Sequence, residues 1–301
     1  FCINSIFYSY RQFSETVSAI REAVKELQAN DINIGLVAND DIETYAAIIA
    51  LWLEGKCYVP VNPDTPIERN INVLQQAGIT VVIDSSDKPL FANFSSIRSK
   101  ELNFKAINLI PNNVDDEALA YIFFTSGTTG VPKGVPISRA NLAGFIKAFF
   151  ALEIKMDETD RCLQMFELTF DLSVMSYLAP LLKGACVYTI PKDKIKFNYI
   201  AELLEEQHLT VALMVPSIIH YLRPYFDEID CASMKYSLFC GEALPLDVTK
   251  EWADCIPNAK IMNVYGPTED TIFCTHYTYS RTADNKTSNG LLSIGKIGRA
   301  S

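Results

Sequence analysis

Residues 119–134, LAYIFFTSGTTGVPKG, decide how this chain of 301 residues is interpreted. The apolar run at residues 119–124 is typical of a buried strand, and a loop rich in glycine and hydroxyl side chains follows it directly. Glycines let the backbone approach a ligand closely, successive N–H groups form an anion-binding nest, and Lys133 adds a compact positive charge. The composition predicts a loop that holds nucleotide phosphates, with an ordinary hairpin loop as the alternative. Neither Gly127 nor Gly130 has Walker A spacing, which argues against a P-loop kinase or GTPase.

Strand and helix patterns alternate on both sides of this loop. Residues 10–27 carry apolar side chains at alternating spacings of four and three, which predicts an amphipathic helix, and residues 32–39 predict a buried strand. Similar pairs of patterns recur along the chain. Alternation with nearly continuous apolar strands predicts an α/β fold, in which mostly parallel sheets are covered by helices.

A polar, irregular stretch at residues 89–116 interrupts the alternation, and it contains one weak strand pattern at residues 104–109. Long stretches without regular structure are typical of domain boundaries. We therefore predict two abutting subdomains, at about residues 1–117 and 118–290.

The composition excludes several classes of protein. Lys plus Arg total 26 against 36 for Asp plus Glu, and a net charge of −10 argues against a nonspecific nucleic-acid surface. No apolar run reaches the roughly 18 residues that a membrane-spanning helix needs, so we expect no membrane insertion. The eight cysteines form no Cys-x-x-Cys pair and the three histidines supply no zinc spacing. Reduced, buried thiols in a cytoplasmic protein are the prediction.

Four motifs carry a resemblance to a known family. TSGTTGVPKG resembles the phosphate-loop signature of the adenylate-forming superfamily, which contains acyl-CoA synthetases, luciferases and amino-acid adenylation domains. LEGKCYVPVNPDTPIERN at residues 53–70 is similar to the second core motif of that family, FDLS at residues 170–173 to the fourth, and NVYGPTE at residues 263–269 to the fifth. The resemblance implies that residues 1–301 form an AMP-binding N-terminal core that uses ATP and magnesium.

The resemblance also implies a set of ATP-binding residues: Thr125, Ser126, Gly127, Thr128, Thr129, Gly130, Lys133, Gly241, Glu242, Ala243, Asn263, Tyr265, Gly266 and Thr268. Within that set it gives Lys133 and Thr268 catalytic roles on the phosphates. Chemistry supports two further roles, because a carboxylate such as that of Glu269 can hold Mg²⁺ and the ring of Tyr265 can stack on adenine. A turn after a strand, with Glu269 solvated, is the alternative.

Asp171 narrows the substrate class. In the amino-acid-adenylating members, an aspartate at this place in FDxS pairs with the substrate α-ammonium, and Phe170 is assigned to the same substrate site. The alternative is an N-cap for the helix predicted to begin at residue 172. FDLSVM and FCGEALP are similar to D-alanine–carrier protein ligases, in which a cysteine at the place of Cys240 borders the substrate methyl group. Glu167 and Asp270 depart from the family pattern.

The resemblance implies a reaction in two steps. ATP activates a small amino acid, with D-alanine as the best match, and the thiol of a phosphopantetheinylated carrier protein then accepts the acyl group. The family's ribose-binding aspartate and the lysine of its small C-terminal lid domain have no counterpart before Ser301, so we expect that domain to be absent from the chain. Three alternatives stay open: a nonribosomal peptide synthetase adenylation domain for another amino acid, an acyl-CoA ligase, and a nucleotide-binding module without catalytic activity.

Overall fold

The computed structural model describes residues 1–125 and 132–296, and these residues form two compact units. Unit 1 comprises Phe1, Ile3–Lys147 and Glu167–Asp171, and unit 2 comprises Cys2, Ala148–Phe166 and Leu172–Ser301. Each unit is built on its own sheet. Two short strands, β1 (Cys2–Ile3) and β2 (Ile6–Phe7), begin the chain.

Unit 1 contains a six-stranded sheet in the order β6-β5-β3-β4-β7-β8. All neighbouring strands are parallel except β7 and β8, which are antiparallel. The elements are β3 (Asn33–Val37), β4 (Cys57–Val61), β5 (Val81–Asp84), β6 (Ser95–Arg98), β7 (Leu119–Thr125) and β8 (Lys133–Ser138), with the helices α1 (Tyr10–Lys25), α2 (Ile42–Leu53) and α3 (Ile67–Gln76). Helix α4 (Arg139–Ala151) begins in unit 1, and its residues 148–151 belong to unit 2.

Local sequence explains where α1 and α2 begin. Ser9 caps α1, since the Gln12 N–H donates to Ser9 Oγ at 3.2 Å and the Ser9 N–H donates back to Gln12 Oε1 at 2.8 Å. Asp41 caps α2 by accepting a hydrogen bond from the Thr44 N–H at 3.0 Å. The apolar stripe predicted for residues 10–27 is buried in α1 as far as Val24, whereas Leu27 lies beyond the end of the helix and is half-buried.

A buried ion pair joins α1 to the end of α2. Arg21 Nε lies 2.5 Å from Glu54 Oε1, and the two side chains are 2% and 8% exposed. Arg21 Nη1 also donates to the Asn108 carbonyl oxygen at 2.9 Å. The irregular segment after residue 101 is therefore tied to the helices through polar contacts.

Two expectations about strands in unit 1 were wrong. Residues 104–109 form no strand, because the Asn108 N–H donates to Ser18 Oγ in α1, at 3.0 Å, instead of to a neighbouring strand. The polar sequence of β6 carries no apolar alternation, yet β6 pairs in parallel register with β5. Pairing with an existing sheet edge thus outweighs a weak local pattern.

Unit 2 is built on the strand order β14-β13-β12-β11-β9-β10, with Cys2 of β1 beside Tyr188 of β10. Neighbouring strands in this order are parallel except β13 and β14, which are antiparallel. The elements are β9 (Arg161–Gln164), β10 (Cys186–Thr189), β11 (Val211–Met214), β12 (Tyr236–Phe239), β13 (Lys260–Tyr265) and β14 (Thr275–Thr278), the hairpin β15 (Thr287–Ser288) and β16 (Leu291–Leu292), and the helices α5 (Leu172–Leu181), α6 (Lys196–Glu206), α7 (Pro216–Leu222) and α8 (Leu246–Cys255).

The core of unit 2 contains polar groups that are paired within it. The ring of Trp252 in α8 is fully buried, and its Nε1–H donates to Ser237 Oγ in β12 at 3.1 Å. Six of the eight cysteines are buried, as the sequence predicted, whereas Cys186 is half-buried and Cys274 is exposed. Within the described ranges, no helix is both long and apolar enough to cross a membrane.

The α/β prediction is confirmed, but the two compact units divide elsewhere than after residue 117. Strands β7 and β8 belong to unit 1, because β7 pairs with β4 and β8 pairs with β7. Residues 167–171 also group with unit 1, although the sequence around them belongs to unit 2. The pairing of β7 with β4, on the other side of the irregular segment, decided where the two units divide. Local composition does not reveal this pairing.

We expect Arg21→Ala to lower the free energy of unfolding by about 3–5 kcal/mol, because it leaves the Glu54 carboxylate buried without its counter-charge. Denaturant titration measures the change. Arg11→Ala is the matched control, because Arg11 forms an i,i+4 pair with Glu15 but is 82% exposed, and its loss should change stability little. Equal effects from the two variants would show that burial of the Arg21 pair is energetically unimportant.

Candidate functional site

Two predicted site segments meet at the carboxyl edge of the sheet in unit 2. Strand β12 ends at Phe239 and leads into residues 240–243, while β13 carries Asn263 and ends at Tyr265. Phe239 and Asn263 are register partners in this parallel pair. Ligands of open α/β sheets bind outside the carboxyl ends of the strands, which is where these segments lie.

Asn263 offers a buried acceptor at this edge. Its side chain is 2% exposed, and its Nδ2 donates to the carbonyl oxygens of Ser293 at 3.1 Å and Leu292 at 3.3 Å. Its Oδ1 is buried and has no hydrogen-bond partner within residues 1–125 and 132–296. Leaving such an acceptor unsatisfied costs about 1–3 kcal/mol, so it is suited to a ligand that brings an N–H donor.

Glu242 has a structural role that the sequence did not predict. Its carboxylate accepts hydrogen bonds from the Ser217 N–H at 2.8 Å and from Ser217 Oγ at 3.1 Å, and so binds the first turn of α7. Neither α7 nor the contact with Ser217 was predicted. Gly241 precedes Glu242 with a φ of +90°, a conformation that side-chain-bearing residues rarely adopt. Residues 240–243 are thus held to the helix that follows β11.

Residues 265–275 form a tight, strained loop. The Cys274 N–H donates to the Tyr265 carbonyl oxygen at 2.9 Å and closes the loop. Inside it, Thr271 and Ile272 are buried and have φ values of 61° and 73°. Positive φ is unusual for β-branched residues, and such strain persists only where packing over-determines the backbone.

Gly266 shows how closely this loop is packed. A Cβ at this position would lie 2.3 Å from the Phe273 Cα, so no larger residue fits without backbone movement. The closed loop presents the 3₁₀ helix Thr268–Asp270, in which Thr268 is half-buried and Glu269 is exposed. The Tyr265 side chain is 48% exposed.

Asp270, which departs from the family pattern, contacts Cys274. Partial desolvation and then a hydrogen bond to the Asp270 carboxylate raise the pKa of the Cys274 thiol to about 11. Although exposed, this thiol remains protonated at neutral pH and is a poor nucleophile. We therefore assign Cys274 no chemical role.

The described residues supply little of a metal site by themselves. No group of three or more His, Cys, Asp or Glu in the described ranges could hold a metal ion. Mg²⁺ commonly takes one or two carboxylates together with phosphate oxygens and water. The exposed carboxylate of Glu269 fits that arrangement, with a triphosphate providing the other oxygens.

The phosphate-loop prediction is only partly within the described residues. Thr125 ends β7 and Lys133 begins β8, and the two are register partners. The Lys133 side chain is exposed. Ser126, Gly127, Thr128, Thr129 and Gly130 lie outside the described residues.

The predicted substrate residues belong to different units. In unit 1, Phe170 is 60% exposed and Asp171 is 8% exposed, and Asp171 directly precedes α5 in the chain. In unit 2, Cys240 is buried, and its N–H donates to the Met214 carbonyl oxygen at 3.1 Å. Burying a carboxylate is costly unless polar or oppositely charged groups contact it, so Asp171 requires such partners.

The chain is similar in sequence to known proteins. The sequence profile described as AMP-binding enzyme matches residues 3–300. The D-alanine–D-alanyl carrier protein ligase of Lactococcus lactis subsp. lactis (strain IL1403) is 29% identical over 277 residues, which are 88% of this chain and 55% of that protein. Bacitracin synthase 1 of Bacillus licheniformis is 28% identical over 281 residues, 92% of this chain and 5% of that protein.

A solved structure has the same fold. The adenylation domain AlmE of Vibrio cholerae, in complex with glycyl-adenosine-5'-phosphate, matches with a TM-score of 0.83 and 24% identity over 98% of this chain and 60% of that chain. This chain spans about half the length of the curated carrier protein ligase that it matches.

We expect Gly266→Ala to lower the free energy of unfolding by about 1–3 kcal/mol, because the added methyl group meets backbone that cannot move cheaply. Thermal or denaturant unfolding measures the change. Gly144→Ala is the control: Gly144 lies in α4 with nothing within 4 Å of an added Cβ, so alanine should raise stability by about 0.5–1 kcal/mol. A neutral Gly266→Ala variant would contradict the tight packing of residues 265–275.

Proposed function

Because this chain belongs to the AMP-binding enzyme family, we propose that it is the nucleotide-binding core of a ligase that activates an amino acid with MgATP. The buried, unsatisfied Oδ1 of Asn263 carries the proposal most directly. Adenine presents an exocyclic amino group, an N–H donor of the kind that this acceptor lacks. Asn263 therefore reads the edge of the base.

The segments beside Asn263 complete the base site. The backbone of Gly241 and Ala243 lies against the adenine ring. The half-exposed ring of Tyr265 stacks on the base. Glu242 contributes its backbone here, since its carboxylate is bound to Ser217.

The phosphate groups are assigned to residues 125–134 and to the NVYGPTE motif. Lys133 supplies positive charge, and the hydroxyls of Thr125 and Thr268 donate hydrogen bonds to phosphate oxygens. When bound, Mg²⁺ neutralises charge that builds up on the phosphates. Glu269 is the residue that holds it. The loop residues between Thr125 and Lys133 are assigned to the phosphates by the family motif alone.

The chemistry needs little covalent participation by the protein. The amino-acid carboxylate attacks the α-phosphorus of ATP, a new O–P bond forms, and the bond to the departing pyrophosphate breaks. A phosphopantetheine thiol of a carrier protein then attacks the aminoacyl carbon, so that a thioester C–S bond forms, the C–O bond to AMP breaks and the thiol proton is released to solvent. Catalysis comes from orienting two anions and offsetting their charge, which are the tasks of Lys133 and Thr268.

Asp171 decides the substrate class in this proposal. Its carboxylate, almost fully buried, pairs with the α-ammonium of an amino acid. Phe170 lies beside it in the chain, and Cys240 borders a small substrate side chain. D-alanine is the preferred substrate because the relative with 29% identity is a D-alanine–D-alanyl carrier protein ligase.

Other functions remain as competitors. The similarity to bacitracin synthase 1 favours a peptide synthetase adenylation domain for another amino acid as the second candidate. An acyl-CoA ligase would not need the Asp171 carboxylate, and a non-catalytic module would bind nucleotide without forming pyrophosphate. A cytoplasmic location stays a prediction.

We expect Asp171→Ala to abolish amino-acid-dependent ATP–pyrophosphate exchange while ATP affinity stays near that of the parent, because the α-ammonium loses its counter-charge. The full-length protein is assayed with D-alanine, L-alanine, other amino acids and a fatty acid. Asp193→Ala, which removes an exposed carboxylate from unit 2, is the control and should retain exchange. Exchange with fatty or aryl acids alone would contradict the amino-acid assignment, and unfolding of Asp171→Ala would indicate a structural role.

We expect Asn263→Ala to reduce the preference for ATP over inosine triphosphate by about tenfold or more, because inosine lacks the amino donor and the variant lacks its acceptor. Isothermal calorimetry on parent and variant measures both affinities. A general effect of the substitution on folding would weaken the binding of both nucleotides equally and leave the ratio of their affinities unchanged. An unchanged ratio would therefore mean that Asn263 does not read the base.

A further inference from the structure

The turn after β4 is held rigidly at Asn62. The Asn62 carbonyl oxygen accepts hydrogen bonds from the Thr65 N–H at 3.2 Å, from Thr65 Oγ1 at 2.8 Å and from Asn70 Nδ2 at 2.7 Å. Asn70 lies in α3 and is buried. Asn62 Oδ1 accepts from the Asp64 N–H at 2.8 Å. The backbone and one side-chain atom of Asn62 are thus fixed by its own turn and by α3.

The side-chain nitrogen of Asn62 binds a distant part of the chain. Asn62 Nδ2 donates to Glu167 Oε2 at 2.8 Å, and both residues belong to unit 1. A carboxylate acceptor makes this hydrogen bond stronger than one between neutral groups. The contact joins the segment 167–171 to the β4–α3 turn.

Glu167 also begins the turn that presents the substrate residues. Its carbonyl oxygen accepts a hydrogen bond from the Phe170 N–H at 2.9 Å, and Asp171 follows immediately. The Glu167 side chain itself is exposed, so its hydrogen bond contributes little to the stability of the fold. Its effect is on the orientation of the turn, because the side chain and the carbonyl oxygen of the same residue are each fixed to a different partner.

We propose that Glu167, anchored by Asn62, is a positioning residue that orients Asp171 toward the α-ammonium of the substrate. The inference rests on the proposed function, in which Asp171 binds that ammonium group. Glu167 does not contact the substrate. It restricts the conformations of residues 167–171, so that the Asp171 carboxylate is held in its binding orientation before the amino acid arrives.

The test measures recognition of the ammonium group separately from recognition of the nucleotide. The probes are D-alanyl and L-alanyl sulfamoyl adenosine, which are stable analogues of the adenylate, and propionyl sulfamoyl adenosine, which lacks the amino group. Calorimetry on this chain gives the affinity ratio of the better alanyl probe to the propionyl probe. A change in folding alone would weaken the binding of all probes alike and leave that affinity ratio unchanged.

Glu167→Ala should lower the affinity ratio by about three- to tenfold, the worth of one hydrogen bond. Glu167→Gln keeps an acceptor for Asn62 Nδ2 and should hold the ratio within about twofold of the parent, consistent with a small neutral-for-charged change. Glu68→Ala removes an exposed carboxylate from α3 of the same unit and should leave the ratio unchanged. If Glu167→Gln lowers the affinity ratio as much as Glu167→Ala does, the carboxylate charge acts directly on the ammonium group and the proposed positioning role is wrong.

A reciprocal exchange tests the contact itself. Asn62→Asp places two carboxylates against each other and should lower the ratio as Glu167→Ala does. The double variant Asn62→Asp with Glu167→Gln again places a donor opposite an acceptor, because the new glutamine amide can donate to the introduced aspartate. The double variant should therefore recover the affinity ratio of the parent. Failure of the double variant to recover would overturn the inference even if a single variant proved unstable.

The outcomes separate this inference from the function on which it depends. If the parent binds neither alanyl probe better than the propionyl probe, recognition of alanine by Asp171 fails and the positioning role fails with it. If the parent shows the preference and Glu167→Ala retains it in full, only the positioning role is wrong.

Discussion

Backbone hydrogen bonds between the parallel strands β12 and β13 place Asn263 opposite Phe239, and the candidate nucleotide site depends on that register. Parallel pairing brings the carboxyl ends of neighbouring strands to one edge, so residues 240–243 and 263–269 leave the sheet side by side. A shift of one residue in β13 would turn Asn263 to the opposite face of the sheet. The carbonyl groups of residues 292 and 293 then hold its amide nitrogen and leave Oδ1 available.

Packing maintains a strained backbone in the loop at residues 265–275, which follows β13. Thr271 and Ile272 adopt left-handed backbone conformations that β-branched residues disfavour, and both are buried. The backbone at Phe273 lies so close to Gly266 that a side chain at this position would require backbone movement. Backbone strain of this kind persists only because surrounding contacts maintain it. The same contacts hold the 3₁₀ helix Thr268–Asp270 in a defined position.

Unit 1 organises the segment at residues 167–171 in a different manner. There the turn at residues 167–171 is exposed at Glu167 and Phe170 and buried at Leu168, and the hydrogen bond from Asn62 adds to this apolar packing. Because exposed hydrogen bonds contribute little to folding, the Asn62 contact bears chiefly on local geometry. Burial thus shapes the surroundings of Asn263 in unit 2, and a surface hydrogen bond from Asn62 to Glu167 shapes the turn before Asp171 in unit 1.

By itself, the sequence determined the α/β class, most helices and strands, and the family, because amphipathic periods and ordered motifs are local properties of the chain. It did not determine the division into units, strand β6, helix α7, or the partners of Asn62, Glu242 and Asn263. Those features depend on contacts between residues far apart in sequence, often with backbone carbonyl groups that every residue carries. Tertiary structure decided them, since only folding brings a particular carbonyl or carboxylate within hydrogen-bonding distance.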